Sequence, residues 1–158
     1  MAVIPSIIKR FYAKRINQID HFKKYPIETQ HDTLLSIIAA AASTEWGREY
    51  GYSTIHSVRD YQSRIPVRSY EEYLPYIERL RKGESNLTWP GYIKWFAKSS
   101  GTTSAKSKFI PISKESLNGC HYQAAKDILA IYTFNNPDTG IFSGKALTLG
   151  GSNKINQL

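Results

Sequence analysis

The chain has 158 residues, which is enough for one sizeable hydrophobic core, and a hydrophobic content of 41% argues against a disordered chain. Its 21 Lys and Arg residues against 13 Asp and Glu give a formal charge of +8, which favours an anionic partner. The single cysteine, Cys120, excludes an internal disulfide and a cysteine-based zinc site, so a reducing, cytoplasmic location is expected. Neither a signal peptide nor a membrane-spanning stretch is recognised in the sequence.

The first half of the chain is predicted to be mainly helical. Apolar residues recur at three- and four-residue spacing over 7–22, which predicts an amphipathic helix with basic residues between them. The alanine-rich segment 28–44 contains LLSIIAAAA, which is too long for one strand and predicts a second, largely buried helix. Residues 47–57 are expected to form a connector because they combine glycines with several hydroxyl side chains.

A short helix is predicted at 58–66, where Pro66 ends it. The start of the following helix is marked more strongly in the sequence. Ser69 followed three residues later by Glu72 is a capping box, and the apolar stripe that begins at Tyr70 predicts a helix up to Gly83.

The second half, 84–158, is predicted to mix strands and a helix. Aromatic and β-branched residues predict strands at 92–99 and 108–113, Ser113 caps a long helix over 114–132, and the apolar segment 145–151 predicts a last strand. The order is helices followed by strand, loop, strand, helix and strand, which is a mixed α/β pattern. Because a last strand without later elements leaves its sheet incomplete, the chain is expected to be the first part of something larger.

The loop KSSGTTSAKSKF at 98–109 is the most informative stretch. A phosphate site needs clustered N–H groups, hydroxyl donors and a cation, with glycine permitting close approach. The loop offers all of these, and its donors and cations are Ser99, Ser100, Gly101, Thr102, Thr103, Ser104, Lys106 and Lys108. A polar hairpin tip has a similar composition, so composition alone leaves both interpretations open. A Walker A motif is excluded, because its second glycine is missing and a strand follows instead of a helix.

The stretch SSGTTSAKSKFIP resembles the phosphate-loop signature of adenylate-forming enzymes. With Lys108 and the following FIP, it is most similar to the acyl-acid amido synthetases of the auxin-responsive promoter family. IPVRSYEEYLPYIERLRKGE before the loop and GKAL at 144–147 resemble segments of the same family in the same order. The resemblance extends from about residue 25 onward. One departure lies at Ala105, where that family usually has glycine.

The resemblance implies an enzyme that forms an acyl-adenylate from a carboxylic acid and ATP with Mg²⁺, and then transfers the acyl group to an amine such as an amino acid. It implies that the chain is the N-terminal portion of a larger adenylating domain, inactive by itself and holding neither catalytic nor metal-binding residues. The implied phosphate-binding residues are Ser99, Ser100, Gly101, Thr102, Thr103 and Lys108, with Lys106 as a second choice for the cation.

The helix after the loop is implied to line the acyl-acid pocket. By helical spacing, Gly119, Tyr122, Gln123 and Lys126 share one face, so Tyr122 and Lys126 are candidates to bind the substrate and its carboxylate. The alternative for Lys126 is an ordinary surface lysine.

A second class of function also fits the composition. The basic balance, with 11 Tyr and 3 Trp, allows a non-enzymatic nucleic-acid-binding module, since aromatic rings can stack on bases. Many of these aromatic residues stand at positions that core packing explains. The interpretation as an enzyme is therefore preferred, and neither a nucleic-acid partner nor a membrane is expected.

Overall fold

The computed structural model of the chain describes residues 3–99, 107–145 and 147, and within α1 it leaves the side chains of 3–9 and 11 undescribed. The first helix, α1 (Val3–Lys24), is followed after one residue by α2 (Pro26–Ala41), which has proline at its first position. Proline fits there because the first N–H groups of a helix have no partner inside it. Both predicted helices are confirmed, but the second ends earlier than expected.

Thr44 lies between the end of α2 and the start of another helix that the sequence did not predict. Its buried hydroxyl donates to the carbonyl of Ala41 (2.7 Å), at the end of α2, and accepts from the N–H of Gly47 (2.9 Å). It thereby caps a new helix, α3 (Glu45–Glu49). The expected connector at 47–57 is therefore wrong for its first three residues, and Tyr52–Thr54 form a 3₁₀ turn within it.

The next two helices agree with their sequence signals. Helix α4 is Val58–Arg64 and α5 is Tyr70–Arg81. The capping box of α5 is present: the Ser69 hydroxyl accepts from the N–H of Glu72 (3.3 Å), and the Glu72 carboxylate accepts from the N–H of Ser69 (2.6 Å). The backbone hydrogen bond from Ser69 lowers the pKa of Glu72.

Two hydrophobic clusters form the core of the helical part. One contains Ile38, Ala41, Trp46, Tyr52 and Ile55, and the other contains Leu80, Leu87 and Ile93. The backbone N–H groups of Glu45 and Trp46 donate to the carbonyls of Asn86 (2.8 Å) and Leu87 (2.9 Å). The link after α5 thus satisfies the free donors at the start of α3 and joins the two clusters.

The two strands form an antiparallel hairpin. Strand β1 is Trp95–Lys98 and β2 is Phe109–Ile112, paired so that Trp95 faces Ile112 and Lys98 faces Phe109. The strand predicted over 92–99 is too long at its start, because β2 ends opposite Trp95 and the chain then turns into a helix. Both predicted strands are otherwise confirmed, and the centre of the loop between them lies outside the described residues.

The helix after β2 is not a regular α-helix throughout. It begins as α6 (Lys114–Ser116), continues as a π-helix over Leu117–Tyr122 and ends as α7 (Gln123–Asn135). The Ser113 cap is confirmed, since its hydroxyl accepts from the N–H of Ser116 (3.0 Å). The strand predicted at 145–151 lies mostly outside the described residues. Within the described ranges, no helix has both the length and the apolarity needed to cross a bilayer.

Candidate phosphate-binding hairpin

The hairpin brings the two ends of the predicted phosphate loop together. One step beyond the paired strands, the N–H of Ser99 donates to the carbonyl of Lys108 (2.9 Å), and the N–H of Lys108 donates to the Ser99 hydroxyl (2.9 Å). The side chain of Ser99 therefore replaces the backbone acceptor at this position of the ladder. A serine hydroxyl that accepts one hydrogen bond still has a hydrogen to donate, so this role is compatible with phosphate binding.

Lys108, the predicted cation, lies against the first turn of α5. Its Nζ is 3.9 Å from Glu71 Oε1 and 4.9 Å from the centre of the Tyr70 ring. The Lys108 side chain is 40% exposed and that of Glu71 is 72% exposed, so water screens their attraction. Such a pair is weak enough for a doubly charged phosphate to replace the carboxylate.

Two side chains of α5 contact β2 at the base of the loop. The Tyr70 hydroxyl accepts from the N–H of Phe109 (2.8 Å), and the Arg81 guanidinium lies 4.2 Å from the centre of the Phe109 ring. Sequence reasoning assigned Tyr70 only to the apolar stripe of α5 and gave no role to Arg81. Tyr70 and Phe109 are 39 residues apart, and no local pattern predicts a contact at that separation.

The central residues of the loop lie outside the described residues. These are Ser100, Gly101, Thr102, Thr103, Ser104, Ala105 and Lys106. Their assignment to phosphate binding, and the effect of Ala105, stay predictions. The described part of the site is the base of the hairpin, namely Ser99 and Lys108 with the residues of α5 around them.

The predicted substrate-binding residues lie on the helix after the hairpin. Tyr122 closes the π-helix and is 55% exposed, and Lys126 is an exposed residue of α7. Gln123, expected on the same face, instead donates to Asp127 (2.7 Å) and is partly buried. Gly119 and Tyr122 lie in the π-helix and Gln123 and Lys126 in α7, so the expected shared face spans a change of helix type.

Asp127 anchors α7 to α1. Its two carboxylate oxygens accept from Arg15 Nε (2.7 Å) and Nη2 (2.6 Å), which makes a bidentate ion pair. The hydrogen bond from Arg15 is the main cause that lowers the pKa of Asp127, and Asp127 in turn raises that of Arg15. In the sequence Arg15 is only one of the basic residues of the first predicted helix, and no local pattern predicts its pairing with a residue 112 positions away.

Four of the aromatic residues that suggested nucleic-acid binding pack against one another around Trp46. The ring of Trp46 lies 4.8 Å from that of Tyr50, 5.4 Å from that of Tyr73 and 5.2 Å from that of Tyr76, measured between ring centres. Arg68 covers the Trp46 ring at 5.0 Å. Tyr73 stacks on Trp46, Tyr50 is tilted to it and Tyr76 meets it edge-on, so these rings pack around the helical core. Within the described residues, no group of three or more His, Cys, Asp or Glu side chains is placed to hold a metal ion.

Comparison with known proteins identifies the family. The sequence model of the "GH3 family N-terminal domain" matches residues 15–157. The chain belongs to the GH3 family. This membership confirms the resemblance seen in the loop and its flanking segments. A solved GH3 structure, "GH3.15 acyl acid amido synthetase", shares the fold with a TM-score of 0.63 over 82% of this chain and 23% of its own length, at 23% sequence identity.

Three similar proteins come from plants. A jasmonoyl–L-amino acid synthetase of Oryza sativa subsp. japonica, GH3.5, is 32% identical over 84% of this chain and 22% of its own length. A jasmonoyl–L-amino acid synthetase of Nicotiana attenuata, JAR6, is 26% identical over 96% of this chain and 26% of its own length. A probable indole-3-acetic acid-amido synthetase of Arabidopsis thaliana, GH3.1, is 29% identical over 67% of this chain and 18% of its own length. The chain thus spans about a fifth to a quarter of these relatives.

Proposed function

We propose that the loop at 99–108 binds the phosphates of ATP in an enzyme that adenylates a carboxylic acid and conjugates it to an amine. In this proposal residues 1–158 are the N-terminal portion of the adenylating domain, with 1–83 as its helical scaffold and 84–158 carrying the phosphate loop. Catalytic residues are not assigned within the chain. No nucleic acid or membrane is required, and a cytoplasmic location is proposed because the chain has a single cysteine and so no internal disulfide.

The observation that carries the proposal is the geometry at the base of the hairpin. Ser99 and Lys108 are hydrogen-bonded neighbours there, so the hydroxyl-rich segment between them has to turn within a closed loop. A lysine at one end of such a loop supplies the positive charge that phosphate oxygens require. GH3 membership, established by the match over 15–157, supports the same assignment.

The chemistry of the proposed reaction has two steps. A carboxylate oxygen of the acid attacks the α-phosphorus of ATP, the bond to the bridging oxygen breaks, and pyrophosphate leaves with that bond's electron pair. The amine then attacks the acyl carbonyl, loses a proton and releases AMP. The chain's own contribution is to hold the β- and γ-phosphates so that the α-phosphorus faces the acid, with Lys108 offsetting the charge that develops on pyrophosphate.

The substrate classes follow from the relatives' names. These specify a jasmonoyl group joined to an L-amino acid, or indole-3-acetic acid joined as an amide. We extend to this chain the general class only, a carboxylic acid with an apolar body and an amino acid as the amine. Tyr122 and Lys126 are proposed to contact the acid, because both side chains are exposed on the helix after the loop. Lys126 is proposed to pair with the carboxylate of the acid.

Magnesium is expected to accompany ATP. The described residues provide no set of carboxylates for it, so no step in this chain is assigned to the metal. Its ligands are proposed to be the nucleotide's phosphate oxygens, water and residues outside those described.

The test is pyrophosphate exchange by the protein expressed from its complete reading frame. Given ATP, Mg²⁺ and a panel of apolar carboxylic acids, it should incorporate labelled pyrophosphate into ATP with at least one acid and without any amine. Addition of amino acids should then yield an amide and AMP. No exchange with any acid, at several pH values, would refute the proposed function.

A further inference from the structure

We propose that Tyr70 and Glu71, the first two residues of α5, are positioning residues for Lys108 and the base of the phosphate loop. Tyr70 is proposed to promote phosphate binding and Glu71 to oppose it by holding Lys108 when the loop is empty. This inference rests on the proposed function, since it concerns how the same loop binds ATP. Neither residue belongs to the loop, and neither is assigned to touch the substrate.

The backbone geometry explains why a tyrosine is needed at this place. In an antiparallel pair, hydrogen-bonded positions alternate with positions whose N–H and C=O point away from the partner strand. Because Ser99 and Lys108 form the bonded position, the polar groups of Phe109 point away from β1. Both meet the Tyr70 hydroxyl, which accepts from the N–H (2.8 Å) and donates to the C=O (3.4 Å). One tyrosine therefore satisfies the open edge of β2 beside the loop.

The same tyrosine also holds the cation. The Tyr70 ring lies 4.9 Å from Lys108 Nζ, within the range of a cation–π contact. A long lysine side chain loses conformational freedom when it binds an anion, and a ring that already restricts the side chain reduces this loss. Tyr70 thus acts on both the backbone and the side chain at the end of the loop.

Glu71 acts in the opposite direction. Its carboxylate is 3.9 Å from Lys108 Nζ, so a phosphate that takes this lysine has to replace Glu71. The neighbouring Glu72 is engaged in the capping box with Ser69, which leaves Glu71 as the acid of the first turn that faces the lysine. The capping box also fixes the orientation of both positioning residues, because it sets the start of α5.

The experiment measures binding of inorganic pyrophosphate and of ATP by calorimetry, with the complete protein. Tyr70→Phe, which keeps the ring but removes the hydroxyl, should weaken binding about threefold, and Tyr70→Leu, which removes both, about tenfold. Glu71→Gln should tighten binding about twofold to threefold at low salt, and less at high salt. Tyr76→Phe is the matched control on the same helix, since its hydroxyl bonds to Glu49 (3.1 Å) and away from the hairpin.

A double-mutant cycle separates positioning from a merely structural role. If Glu71 acts through Lys108, Glu71→Gln should change the affinity of the wild-type protein but not that of the Lys108→Met variant. Loss of structure would weaken binding at both positions and would not produce opposite signs. The conservative Tyr70→Phe and Glu71→Gln variants keep the test valid if Tyr70→Leu does not fold.

The outcomes are distinguishable. Binding by the wild type with unchanged affinity in both Tyr70 variants, or with weaker binding in Glu71→Gln, would overturn the positioning roles and leave the proposed function standing. A wild type that binds neither pyrophosphate nor ATP would overturn the proposed function and this inference with it. Opposite shifts at the two positions, both dependent on Lys108, would support the inference.

Discussion

The Trp46 core and the hairpin differ in how their polar groups are satisfied. Around Trp46 the polar groups are paired within the chain: Thr44 is fully buried and bonds in both directions, and burial raises the pKa of Tyr52 to about 12. At the edge of this core the partly exposed Arg79 binds both Glu45 and Glu84, and its hydrogen bonds lower the pKa of each carboxyl. In the hairpin, none of the strand residues is fully buried, and the Lys108 ammonium contacts the Tyr70 ring and the exposed Glu71 carboxylate, whose attraction water screens.

This difference indicates that the Trp46 core is the structural scaffold and that the hairpin carries the binding site. Groups that are buried and fully paired stabilise the fold, and their loss costs folding free energy. Groups that remain exposed beside a loop are available to a ligand, and their loss should change binding with little effect on folding. Four substitutions test this division, in order of decreasing effect on stability.

The largest effect is expected for Gly47→Ala in α3. A Cβ at this position would lie 2.1 Å from the carbonyl oxygen of Ala41, which no small shift relieves. We expect a loss of about 3 kcal/mol or more in the free energy of unfolding, measured by urea denaturation. The control is Gly119→Ala, where nothing lies within 4 Å of the added Cβ and the change should stay within about 1 kcal/mol. Equal losses at both positions would contradict the division.

Thr44→Ala should cause the next largest loss in the free energy of unfolding. It removes the cap of α3 and leaves the buried N–H of Gly47 without its acceptor, so a loss of about 2 kcal/mol is expected. Ser113→Ala removes the corresponding cap after the hairpin, at an exposed hydrogen bond, and should cost about 1 kcal/mol or less. Thermal unfolding followed by circular dichroism compares the two, and a larger loss at Ser113 would reverse the expected order.

Asp127→Asn tests how the helix after the hairpin is anchored to the rest. Loss of the ion pair with Arg15 should cost about 1 kcal/mol at neutral pH. Because the pKa of Asp127 is lowered in the fold, this contribution is complete above the ordinary Asp value of about 4 and is lost as the pH falls below it. The difference between wild type and variant should therefore shrink on acidification. Asp20→Asn, at an exposed pair with Lys23, should show neither effect.

The smallest effect on stability is expected for Lys108→Met, within about 0.5 kcal/mol. The same variant should weaken ATP or pyrophosphate binding about tenfold, because a charged hydrogen bond to phosphate is lost. Lys94→Met is the matched control: it removes a lysine from the other end of β1, where the ammonium lies over Trp95. Equal loss of binding in the two variants would indicate a general charge effect and would count against a specific role of Lys108.

Local signals in the sequence predicted the elements whose ends are decided locally. Ser69 with Glu72 and Ser113 marked helix starts that the structure confirms, because a cap bonds to N–H groups two or three residues away. The predicted helix over 28–44 ends close to the observed end of α2, but the short helix α3 after Thr44 was missed, although threonine is also a capping residue, because the glycines and hydroxyl side chains of 47–57 are typical of a connector. The close approach of α3 to the carbonyl of Ala41, which requires glycine at position 47, is a contact between two elements that their local patterns do not predict.

By itself, the sequence determined the helical first half, the strand-loop-strand arrangement around SSGTTSAKSKF and the family resemblance that the match over 15–157 confirms. Only the tertiary structure decided what surrounds Lys108: Tyr70 and Glu71 are close to it in space but 38 and 37 residues away in the chain. It also decided that Arg15 pairs with Asp127. The physical reason is that capping and periodicity act within a few residues, whereas contacts between elements depend on how the helices and strands pack.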